Sequence, residues 1–231
     1  QRENMVWQQV RLIEYLNELP VIQFRFDEIE ADDVISYVSR LPHYQGWQKV
    51  IVSNDKDFIQ LCDDETVLLR PTQKVVHNKM NIVEQFDIHP RNFAVARAIA
   101  GDASDNLVGV PRAGLKSIAK NLNFLREDKD VTLHEVFDFC ESTDSKAKFF
   151  TNILEHKDIV ISNYKLMQLY APAISLQSQE KVHYALNNFE HDYNKTEILR
   201  MMNQDGFGVF NWEDLHGTMN KICIDKALRE E

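Results

Sequence analysis

Lys49-Val50-Ile51-Val52-Ser53-Asn54-Asp55-Lys56-Asp57-Phe58 joins a short apolar run to two acids set one residue apart. The run is too short for a helix, is rich in β-branched residues and stops at two polar residues, so it predicts a fully buried strand. Phe58, Ile59 and Leu61 then predict a short helix. Upstream, residues 21–26 follow the break at Pro20 and read as another strand. Between the two strands, Ala31, Val34, Ile35, Val38 and Leu41 recur at helical spacing, predicting a helix that starts around Ile29 and is ended by Pro42. Strand, helix and strand over about thirty residues form a βαβ unit with parallel strands and a right-handed crossover.

Further out, residues 66–70 and 73–77 predict two more short strands around Pro71. Val6, Val10, Ile13 and Leu16 predict a helix at the start. From Asn81 the periodicity is helical as far as Trp212, Leu215, Met219 and Ile222, and residues 225–231 read as a polar tail. The charged stretch 126–130 reads as a linker. The expected fold class is α/β: a parallel-sheet core followed by a helical C-terminal region.

The 231 residues are 44% hydrophobic and 27% charged, enough apolar material for a sizeable core. No apolar run approaches the ~20 residues needed to span a membrane. Three widely spaced cysteines, Cys62, Cys140 and Cys223, make neither a disulfide framework nor a cysteine zinc site, and suit buried thiols in a reducing compartment. The net charge of −10 argues against a generally basic nucleic-acid footprint. Its distribution is uneven, because residues 106–126 hold Arg112, Lys116, Lys120 and Arg126 and no acid. An acidic pocket beside a basic stripe fits metal-assisted work on phosphates, and equally an acidic protein with uneven surface charge.

In a parallel sheet, functional groups gather beyond the carboxyl ends of the strands. Glu30, Asp32 and Asp33 follow the first strand and Asp55 and Asp57 the second, so the topology expects five carboxylates on one sheet edge. At 4 Å two such groups repel by ~4 kcal/mol at an effective dielectric near 20, and cations would relieve that repulsion. Oxygen donors select hard divalent ions. Acids at the start of a helix also complement its dipole, and a receiver-type phosphoacceptor domain fits the same pattern. The residues by themselves leave those readings open.

Glu30-Ala31-Asp32-Asp33-Val34-Ile35 resembles the EADD motif of the 5′-nuclease family, and Ser53-Asn54-Asp55-Lys56-Asp57-Phe58 its S-x-D-x-D-F/L segment. Gly101-Asp102-Ala103-Ser104-Asp105-Asn106, followed by Gly109-Val110-Pro111-Arg112-Ala113-Gly114-Leu115-Lys116, is similar to the family's GDxSDNxxGVPxxGxK stretch. The three motifs in this order carry a resemblance to flap endonucleases and 5′→3′ exonucleases over residues 20–125. The remainder is more loosely similar to phage-type members.

The resemblance implies a PIN-like α/β nuclease core over residues 1–100, a helix–three-turn–helix over 101–126 and a helical region over 127–231. It implies metal ligation by Glu30, Asp32, Asp33, Asp55, Asp57, Asp102 and Asp105, with Asp32, Asp55 and Asp57 catalytic, around two Mg²⁺ or Mn²⁺ ions. Duplex backbone would be gripped through Gly109, Val110, Pro111, Arg112, Gly114, Lys116 and Lys120, with K⁺ at the turn. Gly109 and Gly114 are expected to let backbone approach phosphates closely. The implied substrates are DNA with a 5′ flap, nick or duplex end and RNA–DNA primer junctions. A replication clamp or single-strand-binding protein would be the partner, and the chain would act as a monomer in the cytoplasm of a bacterium or phage-infected host. Family members also have an early metal-binding Asp and a basic arch, neither of which is in this sequence. A chain lacking its N-terminal portion is therefore expected, and the alternative function is a non-catalytic duplex-binding fragment or degenerate relative.

Overall fold

Thr66 stands opposite Lys49 and Leu69 opposite Val52, so strand β1 (Lys49–Val52) runs parallel to β2 (Thr66–Arg70). Strand β3 (Val75–His77) returns antiparallel to β2, with Leu68 opposite His77, and completes a sheet of order β1-β2-β3. The computed structural model describes residues 2–145, 147–190, 192–208 and 210–227; the end of the polar tail, from 228, lies outside them. In chain order the helices are α1 (Arg2–Asn17), α2 (Ala31–Ser39), α3 (Lys79–Phe86), α4 (Phe93–Ala100) and α5 (Leu115–Asn121). They continue with α6 (Leu133–Ser142), α7 (Lys148–Glu155), α8 (Lys157–Met167), α9 (Leu176–Asn187), α10 (Lys195–Gln204) and α11 (Trp212–Ala227). No described helix is long and apolar enough to cross a membrane.

The chain divides into two compact units. One is Glu28–Ile174; the other joins Gln1–Asp27 to Ser175–Glu231. In the first, α4 is buried along its length, from Phe93 to Ile99, and packs against α8, α5 and the short 3-10 turn Asp57–Leu61. Leu68, Ile82, Ile88, Ile118, Leu122, Leu125, Val136, Ile153 and Val160 close the same core. Each such side chain contributes ~1.5–3 kcal/mol by leaving water. Asn92 is fully buried there, and its amide reaches Leu125 O at 3.0 Å while its oxygen accepts from Val131 N at 3.0 Å. Residues 126–130, expected as a linker, are thereby tied down inside this unit. In the other unit, Arg11 and Tyr15 of α1 both bond Asp205, at 2.7 and 2.6 Å, beside a small core of Ile198, Met201 and Met202.

Two sequence expectations fail here. Residues 21–26 are not a strand of the sheet: they belong to the other unit and have no ladder partner among the described residues. A strand needs a neighbour for its N–H and C=O groups, and the parallel partner of β1 comes from downstream, across residues 53–65. The βαβ unit therefore does not form as expected. Nor is β1 buried on both faces. Ile51 points into the core at 7% exposure, whereas Val50 and Val52, on the opposite face of this edge strand, are 54% and 63% exposed.

Candidate functional site

Where β1 ends, two short side-chain turns shape the chain. Ser53 Oγ accepts from Asp55 N at 3.1 Å, and Asp55 Oδ1 accepts from Asp57 N at 2.8 Å. Asp57 opens the 3-10 turn and faces Arg97, the single charged residue of α4. Arg97 Nε donates to Asp57 Oδ1 at 3.1 Å, and its Nη2 donates to Asp102 Oδ2. Asp102 also accepts from the backbone N–H of Ser104 at 2.8 Å and from the Ser104 hydroxyl. Arg97 is a buried residue at 8% exposure, and the side chains of both carboxylate partners are 15% exposed.

The two acids respond oppositely to this setting. Burial pushes Asp57 up to about 6, with the Asp55 and Asp102 charges adding to the rise and Arg97 opposing it. Asp102 is held down to about 2, first by the Ser104 hydroxyl and then, against burial, by the Ser104 N–H and Arg97. For Arg97 the two carboxylates outweigh burial and raise its pKa.

The structure thus gathers Asp55, Asp57 and Asp102. No hydrogen bond or ion pair among the described residues joins Glu30, Asp32, Asp33 or Asp105 to them. Glu30 is an exposed cap of α2 without a side-chain cap bond, and Asp32 Oδ1 accepts from Asp33 N at 2.9 Å. Asp33 is raised by burial and by Asp32, while the backbone N–H of Ala173 lowers it. Asp105 is exposed. The topological argument for five carboxylates on one sheet edge fails with the strand it required. Among the described residues, no group of three His, Cys, Asp or Glu is disposed to hold a metal ion. The oxygen donors are of the right kind for a hard divalent ion, but as arranged they do not fit one, because Arg97 takes up Asp57 and Asp102.

From Asp102 the chain enters the turn that leads to α5. Asp102 and Leu107 exchange two backbone bonds of 2.8 Å, and Val110 N donates to Ile99 O at 2.8 Å. A Cβ on Gly109 would lie 1.9 Å from Ala100 O, and one on Gly101 would lie 2.3 Å from Gly109 N. The glycines exist for this backbone-on-backbone contact. From α8, the Asn163 amide donates to Ala98 O at 3.0 Å and Val108 O at 2.9 Å, clamping both sides of the turn. The space that a side chain on Gly109 would take is thus filled by the Ala100 backbone and not left open to a phosphate. Val110, expected to touch DNA, is 4% exposed and packs in the core. Pro111, Arg112, Gly114, Lys116 and Lys120 remain exposed, and no ion pair among the described residues engages Arg112, Lys116 or Lys120. Arg126 is paired with Asp87.

Residues 1–87 match a family model described as the N-terminal resolvase-like domain of 5′-3′ exonucleases. A 5′-3′ exonuclease of Buchnera aphidicola subsp. Schizaphis graminum is 35% identical over 115 residues, covering 49% of this chain and 40% of that protein. The chain is thus similar to 5′-nucleases over part of its length. Over 113 residues it is also 33% identical to DNA polymerase I of Streptococcus pneumoniae, covering 47% of the chain and 13% of the polymerase. It thus spans about two fifths of the length of the curated exonuclease it matches. Among solved structures, zinc-bound T5 5′-exonuclease superposes with a TM-score of 0.57 at 20% identity, over 72% of this chain and 62% of that one. The bacteriophage T5 flap endonuclease in a pseudo-enzyme–product complex with DNA and metal ions gives 0.54 at 20% identity, over 78% and 62%. The fold is theirs, an α/β nuclease fold.

Three residues that organise the site escaped sequence reasoning. Arg97 offered one signal, a lone charge inside the apolar run Phe93-Ala94-Val95-Ala96-Arg97-Ala98-Ile99-Ala100 between two acidic motifs. Ser104 sits within a motif whose aspartates drew the reading. Asn163 offered none, because its partners lie 65 and 55 residues away in the chain.

Proposed function

We propose that this chain carries the carboxylate and duplex-gripping part of a structure-specific 5′-nuclease, which hydrolyses phosphodiesters near a 5′ end to give 5′→3′ exonuclease and flap-endonuclease products. The observation that carries the reading is one continuous segment. It begins at Asp102, beside Asp57, and ends in the exposed cations Arg112, Lys116 and Lys120. Lys116 and Lys120 are four apart on α5 and face the same way, suiting contact with successive phosphates without reading bases. Asp32, Asp55 and Asp57 are the proposed catalytic residues. Glu30, Asp33, Asp102 and Asp105 are proposed to join them around Mg²⁺ or Mn²⁺, two ions in all, with K⁺ at the turn. DNA flaps, nicks and RNA–DNA primer junctions are the proposed substrates.

The test is a labelled 5′-flap duplex with Mg²⁺, scoring binding and cleavage together for the chain and its Asp55→Asn form. Mg²⁺-dependent cleavage that disappears in Asp55→Asn, with binding kept, is the expected result. Binding without cleavage in both would favour a non-catalytic duplex-binding role, which the hold of Arg97 on Asp57 and Asp102 also favours. Failure to bind the flap would overturn the reading.

A further inference from the structure

We propose that Arg97 is the resident counterion of the carboxylate site, that a divalent cation has to displace it, and that this competition sets the site's affinity for such ions. The inference rests on the reading of Asp55, Asp57 and Asp102 as metal-holding carboxylates. It explains why residues of the right chemistry do not assemble into a metal site here.

The argument begins with the helix. All of α4 from Phe93 to Ile99 is buried, and every residue of it except Arg97 is apolar. A guanidinium in such a helix is costly without partners, since burial opposes its charge. Its partners are Asp57, at 3.1 Å, and Asp102, which come from segments 40 and 5 residues away. Among the described residues no other cation pairs with either acid. Asp55 and Asp102 both repel Asp57, so three carboxylates share one positive charge.

A guanidinium and a divalent ion then ask for the same oxygens in different geometries. The guanidinium is a flat fork of donors, satisfied by lone pairs in its own plane at hydrogen-bond distance. A divalent ion of the Mg²⁺ type wants oxygens at ~2.0–2.1 Å around an octahedron. Asp57 Oδ1 and Asp102 Oδ2 each already hold an N–H of Arg97, and Asp102 Oδ1 holds Ser104, so a metal bound among these oxygens would lie against the guanidinium. Two cations pressed together in a partly dry site also repel strongly. Arg97 therefore holds the acids ready when no metal is present and weakens the metal when it arrives.

The experiment measures Mn²⁺ binding, by the electron paramagnetic resonance of the free ion, to the full chain without DNA. The wild type is compared with Arg97→Gln and Arg97→Lys, each checked for folding by circular dichroism. Arg97→Gln is expected to bind Mn²⁺ at least about tenfold more tightly, and Mn²⁺ should raise its melting temperature more than that of the wild type. Arg97→Lys keeps the charge but loses the fork, and should fall between them. Equal or weaker binding by folded Arg97→Gln overturns the inference. Should Arg97→Gln not fold, Arg97→Lys decides: tighter binding than wild type supports competition, and unchanged binding overturns it. If no variant retains Mn²⁺, the metal reading of the carboxylates itself fails, and the inference goes with it.

Discussion

Gly109→Ala tests the turn that carries Asp102. The added Cβ would sit 1.9 Å from Ala100 O, 2.3 Å from Ala100 C and 2.7 Å from Gly101 N. Carbon atoms rest at ~3.5–4.0 Å, so the two backbones must separate by roughly 1.5 Å. All three atoms are backbone, and no side chain can rotate aside. A movement of that size breaks the 2.8 Å bond from Val110 N to Ile99 O and pulls Val108 O away from Asn163. Each lost bond costs ~0.5–1.5 kcal/mol net, and more where a buried group is left unpaired, giving about 2–4 kcal/mol in all. In a chain of this size 1 kcal/mol shifts the melting temperature by ~2–4 °C, so a fall of about 5–15 °C is expected. Thermal melting followed by circular dichroism reads it, with Gly114→Ala as the control. Gly114 has φ −76° and nothing within 4 Å of its would-be Cβ, so that variant meets no clash and, as the N-cap of α5, should melt only slightly below the wild type. A Gly109→Ala protein that melts within a degree or two of the wild type would refute the close packing.

Other outcomes follow from the same geometry. Asn163→Leu leaves Ala98 O and Val108 O without their donor and should cost about 2–4 kcal/mol by urea unfolding; its effect should be less than additive with Gly109→Ala, because both loosen one turn. A cost below half a kcal/mol would argue that the clamp is idle. Asp57, raised to about 6, holds its proton in the fold over a range where the unfolded chain, titrating near ~3.9, has released it. Its contribution therefore favours folding at low pH and is lost as pH rises through about 6. In chelator-treated buffer, Asp57→Asn should gain on the wild type by on the order of 1–2 kcal/mol between pH 5 and pH 7.5, and a pH-independent difference would contradict the shift. Duplex binding through Arg112, Lys116 and Lys120 predicts a slope near −3 for log K against log salt, each charge removal lowering it by about one. A slope unaltered by Lys116→Ala and Lys120→Ala would remove the basic stripe from the interface.

Local patterns were legible and distant partners were not. The β2 and β3 strands, the short turn at Asp57 and the helices after Asn81 follow from periodicity and from breakers such as Pro71, which act over a few residues. Residues 21–26 show where that ends. An extended-looking sequence states what the backbone can do locally, whereas a ladder requires a neighbour, and β1 found its parallel neighbour downstream. The run from Val50 to Val52 looked fully buried because one edge of the sheet is invisible in a linear text. At the site, Asp55, Asp57 and Asp102 were readable as acids, but the arginine that binds two of them was not. Gly109 and Val110 were visible as motif residues, but the packing their side-chain positions serve, against Ala100 and in the core, was not.

The clamp on the turn has a consequence for the order in which the molecule matures. Asn163 lies more than fifty residues beyond the segment it secures. A nascent chain emerging from the ribosome would already have made the acids, the cations and both glycines before α8 exists to hold them in register. The turn that bears Asp102 should stay unset until α8 has cleared the exit tunnel, and only then would the carboxylates and Arg97 find one another. A stalled or prematurely ended product stopping after α5 would therefore carry every motif residue of the segment and still lack its geometry.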